Sequence, residues 1–101
     1  MPDSEKLIER RLASCIKERG GLCIKLLCDQ FAGLPDRLCL LPNGRCAFVE
    51  LKSTGKKPRK LQELVHEKIR SLGFQLEVID TLSGIDDFIW RLDDAEQRKL
   101  T

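Results

Sequence analysis

The residues Pro42-Asn43-Gly44, between apolar runs at 38–41 and 46–49, constrain the fold more than any other feature. Proline fixes φ at the first turn position, and asparagine tolerates the second. Glycine accepts the left-handed conformation of a three-residue hairpin loop with a G1 bulge. A two-residue Asn-Gly loop would instead place Pro42 in the strand ladder, where proline has no N–H to donate. We therefore predict an antiparallel hairpin with a three-residue loop.

The register of this hairpin places charged residues at its open end. Asp36 should face Glu50 across the strand pair, with Cβ atoms about 5 Å apart on one face of the sheet. Lys52 follows Glu50 by two residues and therefore lies on the same face. Converging carboxylate oxygens are the donors that hard divalent cations prefer. A surface salt bridge among Asp36, Arg37, Glu50 and Lys52 is the alternative interpretation of these charges.

The stretch GLPDRLCLLPNGRCAFVELK, residues 33–52, resembles the core of the VRR-NUC domain, a branch of the PD-(D/E)xK nuclease superfamily. Pro35-Asp36 corresponds to the PD, and Glu50-Leu51-Lys52 corresponds to the ExK. Further matching features are a Glu-bearing first helix ending in Gly20-Gly21, then Lys25, Gln62 and Gly73. The resemblance covers about residues 4–88. PD and ExK alone form a weak pattern, whereas the ordered set is specific.

This resemblance implies a metal-dependent hydrolytic site. The implied catalytic residues are Asp36, Glu50, Lys52, Gln62 and Glu9. The implied metal ligands are Asp36, Glu50, the backbone carbonyl of Leu51 and Glu9. One or two Mg²⁺ ions would bind there, and Mn²⁺ should substitute because oxygen sites accept it readily. Lys52 would position the attacking water or stabilise charge on the phosphate.

Two residues of the first helix, Glu9 and Glu5, are candidates for the helix carboxylate of this set. Ser4 is predicted to cap a helix that runs to about residue 19. Its predicted core stripe is Ile8, Leu12, Cys15 and Ile16. Glu9 lies at the margin of this stripe and Glu5 lies near the same edge, although a solvated carboxylate is the usual outcome at such positions. The distance to Gly20-Gly21 in the resembling family favours Glu9.

Residues 53–60 combine glycine, proline and four positive charges just after the strand that carries Glu50 and Lys52. Basic side chains there would contact phosphates and give salt-sensitive affinity that is independent of DNA sequence. An ordinary solvated loop is the alternative. The predicted nucleic-acid contacts are Lys25, Arg37, Lys56, Lys57, Arg59 and Lys60.

The remaining elements complete the predicted layout. We expect a buried strand at 22–28, a helix from 59 or 60 to 71, a strand at 74–79 and a final helix at 83–92, followed by a frayed tail. The predicted apolar face of the middle helix is Leu61, Leu64, Val65, Ile69 and Leu72, with His66 structural or exposed. A strand–helix–strand connection implies a parallel pair. The order α-β-β-β-α-β-α predicts an α/β fold with a mixed sheet flanked by helices. The resemblance implies the same restriction-endonuclease-like core.

Length and charge set broad limits. A chain of 101 residues is predicted to form one domain over 1–101. The net charge of +2 is too small to indicate a nucleic-acid partner by itself, so any basic surface must come from local clustering of charge. No apolar run approaches the roughly 18 residues of a membrane span, and the N-terminus does not resemble a signal peptide. We therefore expect a cytoplasmic protein with no membrane association.

The five cysteines, an odd number, lie mostly in apolar stretches. Such thiols behave as small buried hydrophobic groups. Their spacings match no zinc pattern, and His66 is the only histidine. Reduced core thiols are therefore favoured over a metal or redox centre, and no motif supports a thiol nucleophile paired with His66.

These observations predict a metal-dependent, structure-selective DNA endonuclease. Because one small domain offers a single site, we expect a symmetric homodimer on branched DNA, in the manner of a Holliday-junction resolvase on four-way junctions. Phe88, Ile89 and Trp90 on the last helix form a candidate interface, although this helix could simply cap the core. The alternative function is a non-catalytic DNA-binding or assembly module with a nuclease-like fold.

Overall fold

The structure is a computed structural model that describes residues 2–100. Its elements are α1 (Glu5–Glu18), β1 (Leu22–Lys25), β2 (Arg37–Leu41), β3 (Arg45–Leu51), α2 (Lys60–Ser71), β4 (Leu76–Ile79) and α3 (Leu82–Leu100). A single 3₁₀ turn, Pro42–Gly44, joins β2 to β3. The predicted order of helices and strands is confirmed. Within the described residues, none of the helices is both long enough and apolar enough for a membrane crossing.

The four strands form one mixed sheet in the order β1-β2-β3-β4. The first three strands are antiparallel, and β4 pairs with β3 in parallel. A parallel pair requires a crossover connection, which α2 provides. The mixed sheet flanked by helices is the fold class predicted from the sequence.

The hairpin has the predicted register, because Leu41 pairs with Arg45 and Arg37 pairs with Val49. Both Asn43 and Gly44 have positive φ, at 68° and 73°. Asparagine and glycine adopt this left-handed conformation more readily than other residues. The three-residue loop is therefore confirmed, and Asp36 comes to face Glu50 just beyond the paired residues.

One face of the sheet is covered by α1 and α3. The buried cluster includes Ile8, Leu12 and Ile16 from α1, Cys39, Ala47, Val49 and Leu51 from the sheet, and Ile85, Phe88, Ile89 and Leu92 from α3. The Ser4 hydroxyl accepts a 3.2 Å hydrogen bond from the Leu7 N–H and caps α1. Three residues of the predicted apolar stripe of the first helix are therefore in the core, and the fourth, Cys15, is partly buried against it.

The last helix differs from its prediction. It continues to Leu100 instead of ending near residue 92. Arg19 and Asp93 form an ion pair at 2.8 Å, and Arg45 and Glu96 form another at 2.8 Å. These pairs tie the additional turns to α1 and to the hairpin, so the expected fraying is wrong for residues 93–100, and Thr101 lies outside the described residues. Sequence periodicity could not reveal these partners because they are distant in the chain.

The other face of the sheet is only partly covered, since α2 packs beside β4. The first strand was predicted to be buried and to run to residue 28. It ends at Lys25 and is partly exposed, because it is an edge strand and one of its faces is uncovered. Leu22 is 63% exposed and Ile24 is 38% exposed. Leu40 and Phe74 are exposed on the same side. The sheet therefore presents an apolar surface away from α1 and α3.

The orientation of α2 also differs from its prediction. Leu61, Leu64 and Leu72 of the expected apolar face are exposed, whereas His66 is buried. The chain preceding Asp36 approaches this helix closely, and a Cβ built on Gly33 would lie 2.8 Å from the Val65 side chain. The helix therefore turns its polar edge, and not its most apolar face, toward the end of the sheet.

Candidate active site

Asp36 and Glu50 hold each other in place at one end of the sheet. The Asp36 N–H donates a 3.2 Å hydrogen bond to Glu50 Oε1. The Leu51 N–H donates a 3.0 Å hydrogen bond to Asp36 Oδ2. These two bonds link the residue preceding β2 to the end of β3. The positions of both carboxylates are therefore consequences of the hairpin register.

The Glu50 carboxylate is almost completely buried, at 1% exposure. Burial raises its pKa, the negative charge of Asp36 raises it further, and Lys52 opposes both effects. Lys52 Nζ lies 3.2 Å from Glu50 Oε2. Desolvated like charges of this kind are unfavourable by themselves and are typical of functional sites. A bound cation would relieve them.

Gln62, in the first turn of α2, connects the groups around Glu50. Its Nε2 donates a 3.2 Å hydrogen bond to Glu50 Oε2. Its Oε1 accepts hydrogen bonds from Lys52 Nζ at 3.4 Å and from the Arg59 N–H at 2.9 Å. The structure thus brings together Asp36, Glu50, Lys52 and Gln62.

Glu9 and Arg37 form a separate pair on the opposite face of the sheet. Their carboxylate and guanidinium groups lie 2.9 Å apart. Arg37 Nη1 also donates a 3.2 Å hydrogen bond to the backbone carbonyl of Asp36. Glu9 therefore contacts Arg37 on the opposite face of the sheet and does not join the carboxylates of Asp36 and Glu50. Glu5, its competitor, is exposed in the first turn of α1.

The expectation that Arg37 contacts DNA does not fit its surroundings. Its side chain is buried because successive strand residues point to opposite faces, which directs Arg37 toward α1. Lys25 pairs with Arg37 in the sheet and remains exposed at the same end.

The basic segment, residues 53–60, follows β3 and begins with a turn that hydrogen bonds hold in place. Thr54 Oγ1 donates a 2.7 Å hydrogen bond to the Asp80 carbonyl, and the Gly55 N–H donates a 3.0 Å bond to Asp80 Oδ2. The Asp3 N–H donates a 2.8 Å bond to Thr54 Oγ1. Sequence reasoning missed this anchor, since nothing local links Asp3, Thr54 and Asp80. Its exposed basic residues are Lys56, Lys57, Arg59 and Lys60.

A cleft of about 470 Å³ lies between this basic segment, α2 and β4. Its lining includes the basic residues Lys56, Lys57 and Arg70 and the acidic residues Glu63, Glu67 and Asp80. His66 also lines the cleft, and its Nε2 lies 4.0 Å from Glu50 Oε1. This placement beside Glu50 was not predicted. The available signal was the four-residue spacing from Gln62, which puts both residues on one side of α2.

Comparison with known proteins identifies the family. A protein described as "Putative nuclease p44", from Acyrthosiphon pisum secondary endosymbiont phage 1, is 40% identical over 77 residues, which are 76% of this chain and 83% of that protein. A solved structure described as "VRR_NUC domain" superposes with a TM-score of 0.81 at 31% identity, covering 86% of this chain and 95% of the other. The chain belongs to the VRR-NUC family. A scan against family models gave no match.

Membership in the VRR-NUC family confirms the resemblance of the 33–52 segment and the restriction-endonuclease-like fold. It also supports a nuclease, for which DNA is the implied substrate. The VRR-NUC core in this chain is the hairpin that carries Asp36 and Glu50, with Lys52 immediately after it.

The donor set in this VRR-NUC chain suits a hard divalent cation. Asp36 and Glu50 supply carboxylate oxygens, and the backbone at Leu51 adjoins both. In the part of the chain from residue 2 to residue 100, three His, Cys, Asp or Glu side chains do not converge closely enough to form a complete cage. Mg²⁺ commonly binds through one or two carboxylates and keeps several waters. The residues therefore fit an ion of this class.

Proposed function

We propose that the chain is a divalent-metal-dependent endodeoxyribonuclease whose reaction centres on Asp36 and Glu50. The observation that carries this proposal is the convergence of the two carboxylates on one face of the sheet, with Glu50 buried and joined to Lys52 and Gln62. Burial and the negative charge of Asp36 raise the pKa of Glu50, and both effects favour binding of a cation. Membership in the VRR-NUC family supports the nuclease class.

Each residue has a defined task in phosphodiester hydrolysis. Asp36, Glu50 and the Leu51 carbonyl would hold Mg²⁺ or Mn²⁺. When bound, the ion supplies charge neutralisation and lowers the pKa of water. Lys52, whose ammonium group lies beside Glu50, would orient the attacking water or stabilise charge on the phosphate. We leave Glu9 out of the ligand set because its carboxylate is paired with Arg37.

Gln62 acts on this centre by positioning. It binds Glu50 Oε2 and Lys52 Nζ, so it fixes the distance between carboxylate and ammonium groups. It also accepts the Arg59 N–H, which couples the start of α2 to the same network. Catalytic groups held by such supporting hydrogen bonds need little reorganisation when substrate binds.

DNA would reach this centre along the basic segment. The exposed residues proposed to contact phosphates are Lys25, Lys56, Lys57, Arg59 and Lys60. The turn at Thr54 and Gly55 keeps this segment near the end of β3. Phosphate contacts give affinity without sequence preference, which is appropriate for a nuclease that recognises DNA structure.

We further propose that the protein works as a symmetric homodimer on branched DNA, with four-way junctions as the favoured substrate. One domain over 1–101 carries one centre, and a two-fold dimer would present two centres to two related strands. The interface expected on α3 needs correction, because Phe88 and Ile89 are buried in the core of the chain itself. The uncovered sheet face around Leu22, Ile24 and Leu40 is the better candidate, since contiguous exposed apolar surface commonly marks an interaction site.

The proposal is tested by incubating the purified protein with labelled four-way junctions, flaps and matched linear duplex, with and without Mg²⁺. We expect metal-dependent cleavage with preference for the junction. A monomer that cuts all substrates equally would remove the dimer and junction parts and leave the nuclease standing. Tight DNA binding without cleavage, with either Mg²⁺ or Mn²⁺, would favour the non-catalytic DNA-binding alternative.

A further inference from the structure

We propose that Cys23 and Cys39 are a reversible modification site, at which hydrogen peroxide converts the two thiols into a disulfide that joins β1 to β2. This inference goes beyond the nuclease function proposed above and does not depend on it, because it uses none of the residues around Glu50. All five cysteines of the chain are free thiols in the structure, so the structure shows the reduced form of the pair.

The register of the first two strands places the two cysteines directly opposite each other. Cys23 of β1 pairs with Cys39 of β2. Just beyond the paired residues, the Leu26 N–H donates a 2.7 Å hydrogen bond to the Asp36 carbonyl. Hydrogen-bonded and non-hydrogen-bonded pairs alternate along antiparallel strands. Leu26 and Asp36 form a pair of the first kind, so Cys23 and Cys39, an odd number of positions away, form a pair of the second kind.

A pair of this second kind has the separation that a disulfide requires. In a non-hydrogen-bonded pair the Cα atoms lie about 4.5 Å apart and the side chains approach closely. Cα atoms joined by a disulfide are usually about 4.4–6.8 Å apart. The two sulfur atoms are already in contact, since the thiols of Cys23 and Cys39 form a hydrogen bond. Forming the disulfide therefore requires no change in the strand register.

The two thiols differ in exposure and in acidity, which gives each a separate task. Cys39 is 0% exposed, whereas Cys23 is partly exposed on the edge strand and packs against the core. The hydrogen bond from Cys39 lowers the pKa of Cys23, burial opposes this effect, and the positive charge of Arg37 adds to it. The same hydrogen bond raises the pKa of Cys39. Because the thiolate is the reactive form of cysteine, Cys23 is the first thiol to react and Cys39 the second.

The proposed reaction has two steps. The Cys23 thiolate attacks one oxygen of hydrogen peroxide, so that a sulfur–oxygen bond forms, the oxygen–oxygen bond breaks, and hydroxide leaves and takes up a proton. The Cys39 sulfur then attacks the sulfur of this sulfenic acid, and the second hydroxide leaves as water with the proton of the Cys39 thiol. The two thiols lose two electrons in total, and these reduce the peroxide to two molecules of water. An external dithiol restores both thiols by exchange and is itself oxidised to a disulfide.

The disulfide would close a loop around the segment that leads to Asp36. Residues 27–32, between the two cysteines, are exposed. A disulfide across such a loop stabilises the folded state mainly by restricting the unfolded chain. Both cysteines contact the core on the side of α1 and α3, away from the carboxylates of Asp36 and Glu50. Oxidation should therefore stabilise the protein and leave those carboxylates in place.

The test maps disulfides in the full chain after treatment with hydrogen peroxide and blocking of the remaining thiols with N-ethylmaleimide. Trypsin cuts after lysine and arginine, which places each of the five cysteines in a different peptide. We expect peptide 20–25, with Cys23, to be linked to peptide 38–45, with Cys39. The thermal midpoint should rise by at least about 4 °C and return to its original value with dithiothreitol.

Single variants assign the order of the two steps. Cys39→Ala should leave the oxidised Cys23 as a sulfenic acid that dimedone labels, and Cys23→Ser should abolish both the linkage and the rise in thermal midpoint. Cys28→Ser is the matched control and should keep the linkage, because Cys28 is exposed and lies outside the strands. The proposal would be overturned if peroxide left all five thiols free, oxidised Cys23 without linking it to Cys39, or linked Cys28 in preference. The wild-type map decides the question even where Cys39→Ala is poorly folded.

Discussion

Glu50 Oε1 accepts a 3.2 Å hydrogen bond from the backbone N–H of Asp36, the residue that immediately precedes β2 and faces Glu50 across the hairpin. This contact exists only in one register of the two strands, because a shift by one residue would send Asp36 to the opposite face. The turn at Pro42–Gly44 therefore determines the geometry of the proposed centre from a distance.

Neutralising Glu50 should stabilise the metal-free protein. Because burial and the charge of Asp36 raise the pKa of Glu50, the folded state holds this proton more tightly than the unfolded state does. The free energy of unfolding should then fall as pH rises above about 4.3, the ordinary pKa of glutamate. Glu50→Gln should lack this contribution and melt at the same or a higher temperature at pH 7. Calorimetry across pH, with Glu67→Gln as control, checks this; a lower midpoint with an unchanged pH slope would contradict it.

Neutralising the basic segment should weaken DNA binding without changing its sequence preference. Replacing Lys56, Lys57 and Lys60 with glutamine removes three of the proposed phosphate contacts. The slope of log affinity against log salt concentration should become shallower by about three. Fluorescence anisotropy at several salt concentrations measures this slope. The control replaces three exposed lysines elsewhere, namely Lys6, Lys17 and Lys99; equal effects of both triple variants would mean that the segment has no special role.

A charge on the uncovered sheet face should dissociate the proposed dimer. Ile24→Lys places an ammonium group at a partly exposed position in β1, where a monomer tolerates it and a buried interface does not. Trp90→Lys on α3 is the matched control, since Trp90 is 65% exposed and lies on the opposite side of the sheet. Light scattering should show a dimer for wild type and Trp90→Lys and a monomer for Ile24→Lys. The reverse pattern would return the interface to α3.

The pair Glu9–Arg37 should contribute to stability more than to metal binding. Arg37→Leu removes a buried guanidinium and its bond to the Asp36 carbonyl, while Glu9 is 42% exposed and can be solvated. We expect a loss of about 1–2 kcal/mol and a thermal midpoint lower by about 4–8 °C per kcal/mol. Glu9→Gln should leave Mg²⁺ affinity within about twofold in titration calorimetry. A tenfold loss would instead place Glu9 among the metal ligands.

The sequence was most informative where local chemistry determines geometry. The residues Pro42, Asn43 and Gly44 allow few turn conformations, and that turn sets the register and brings Asp36 opposite Glu50. The core stripe of α1 was also predictable, because helical periodicity and a covering sheet agree.

Other features depended on which surfaces meet, and periodicity does not contain that information. The apolar positions of α2 indicated a buried face, yet Leu61, Leu64 and Leu72 are exposed and His66 is buried. Glu9 was expected beside the other carboxylates, but its partner Arg37 comes from a strand distant in the sequence. The same limit applied to Asp3 and Asp80, whose bonds to Thr54 join three distant parts of the chain.

Cleavage of a labelled four-way junction by wild type, Asp36→Asn and Glu50→Gln, each with Mg²⁺ and with excess chelator, tests the proposed centre most directly. Circular dichroism and thermal melting would first show that all three proteins are folded. We expect strand cleavage by the wild type only, dependent on Mg²⁺ and lost in both variants because each removes a proposed ligand. Full activity of folded Glu50→Gln, or wild-type cleavage that persists in chelator, would contradict a metal centre at Asp36 and Glu50.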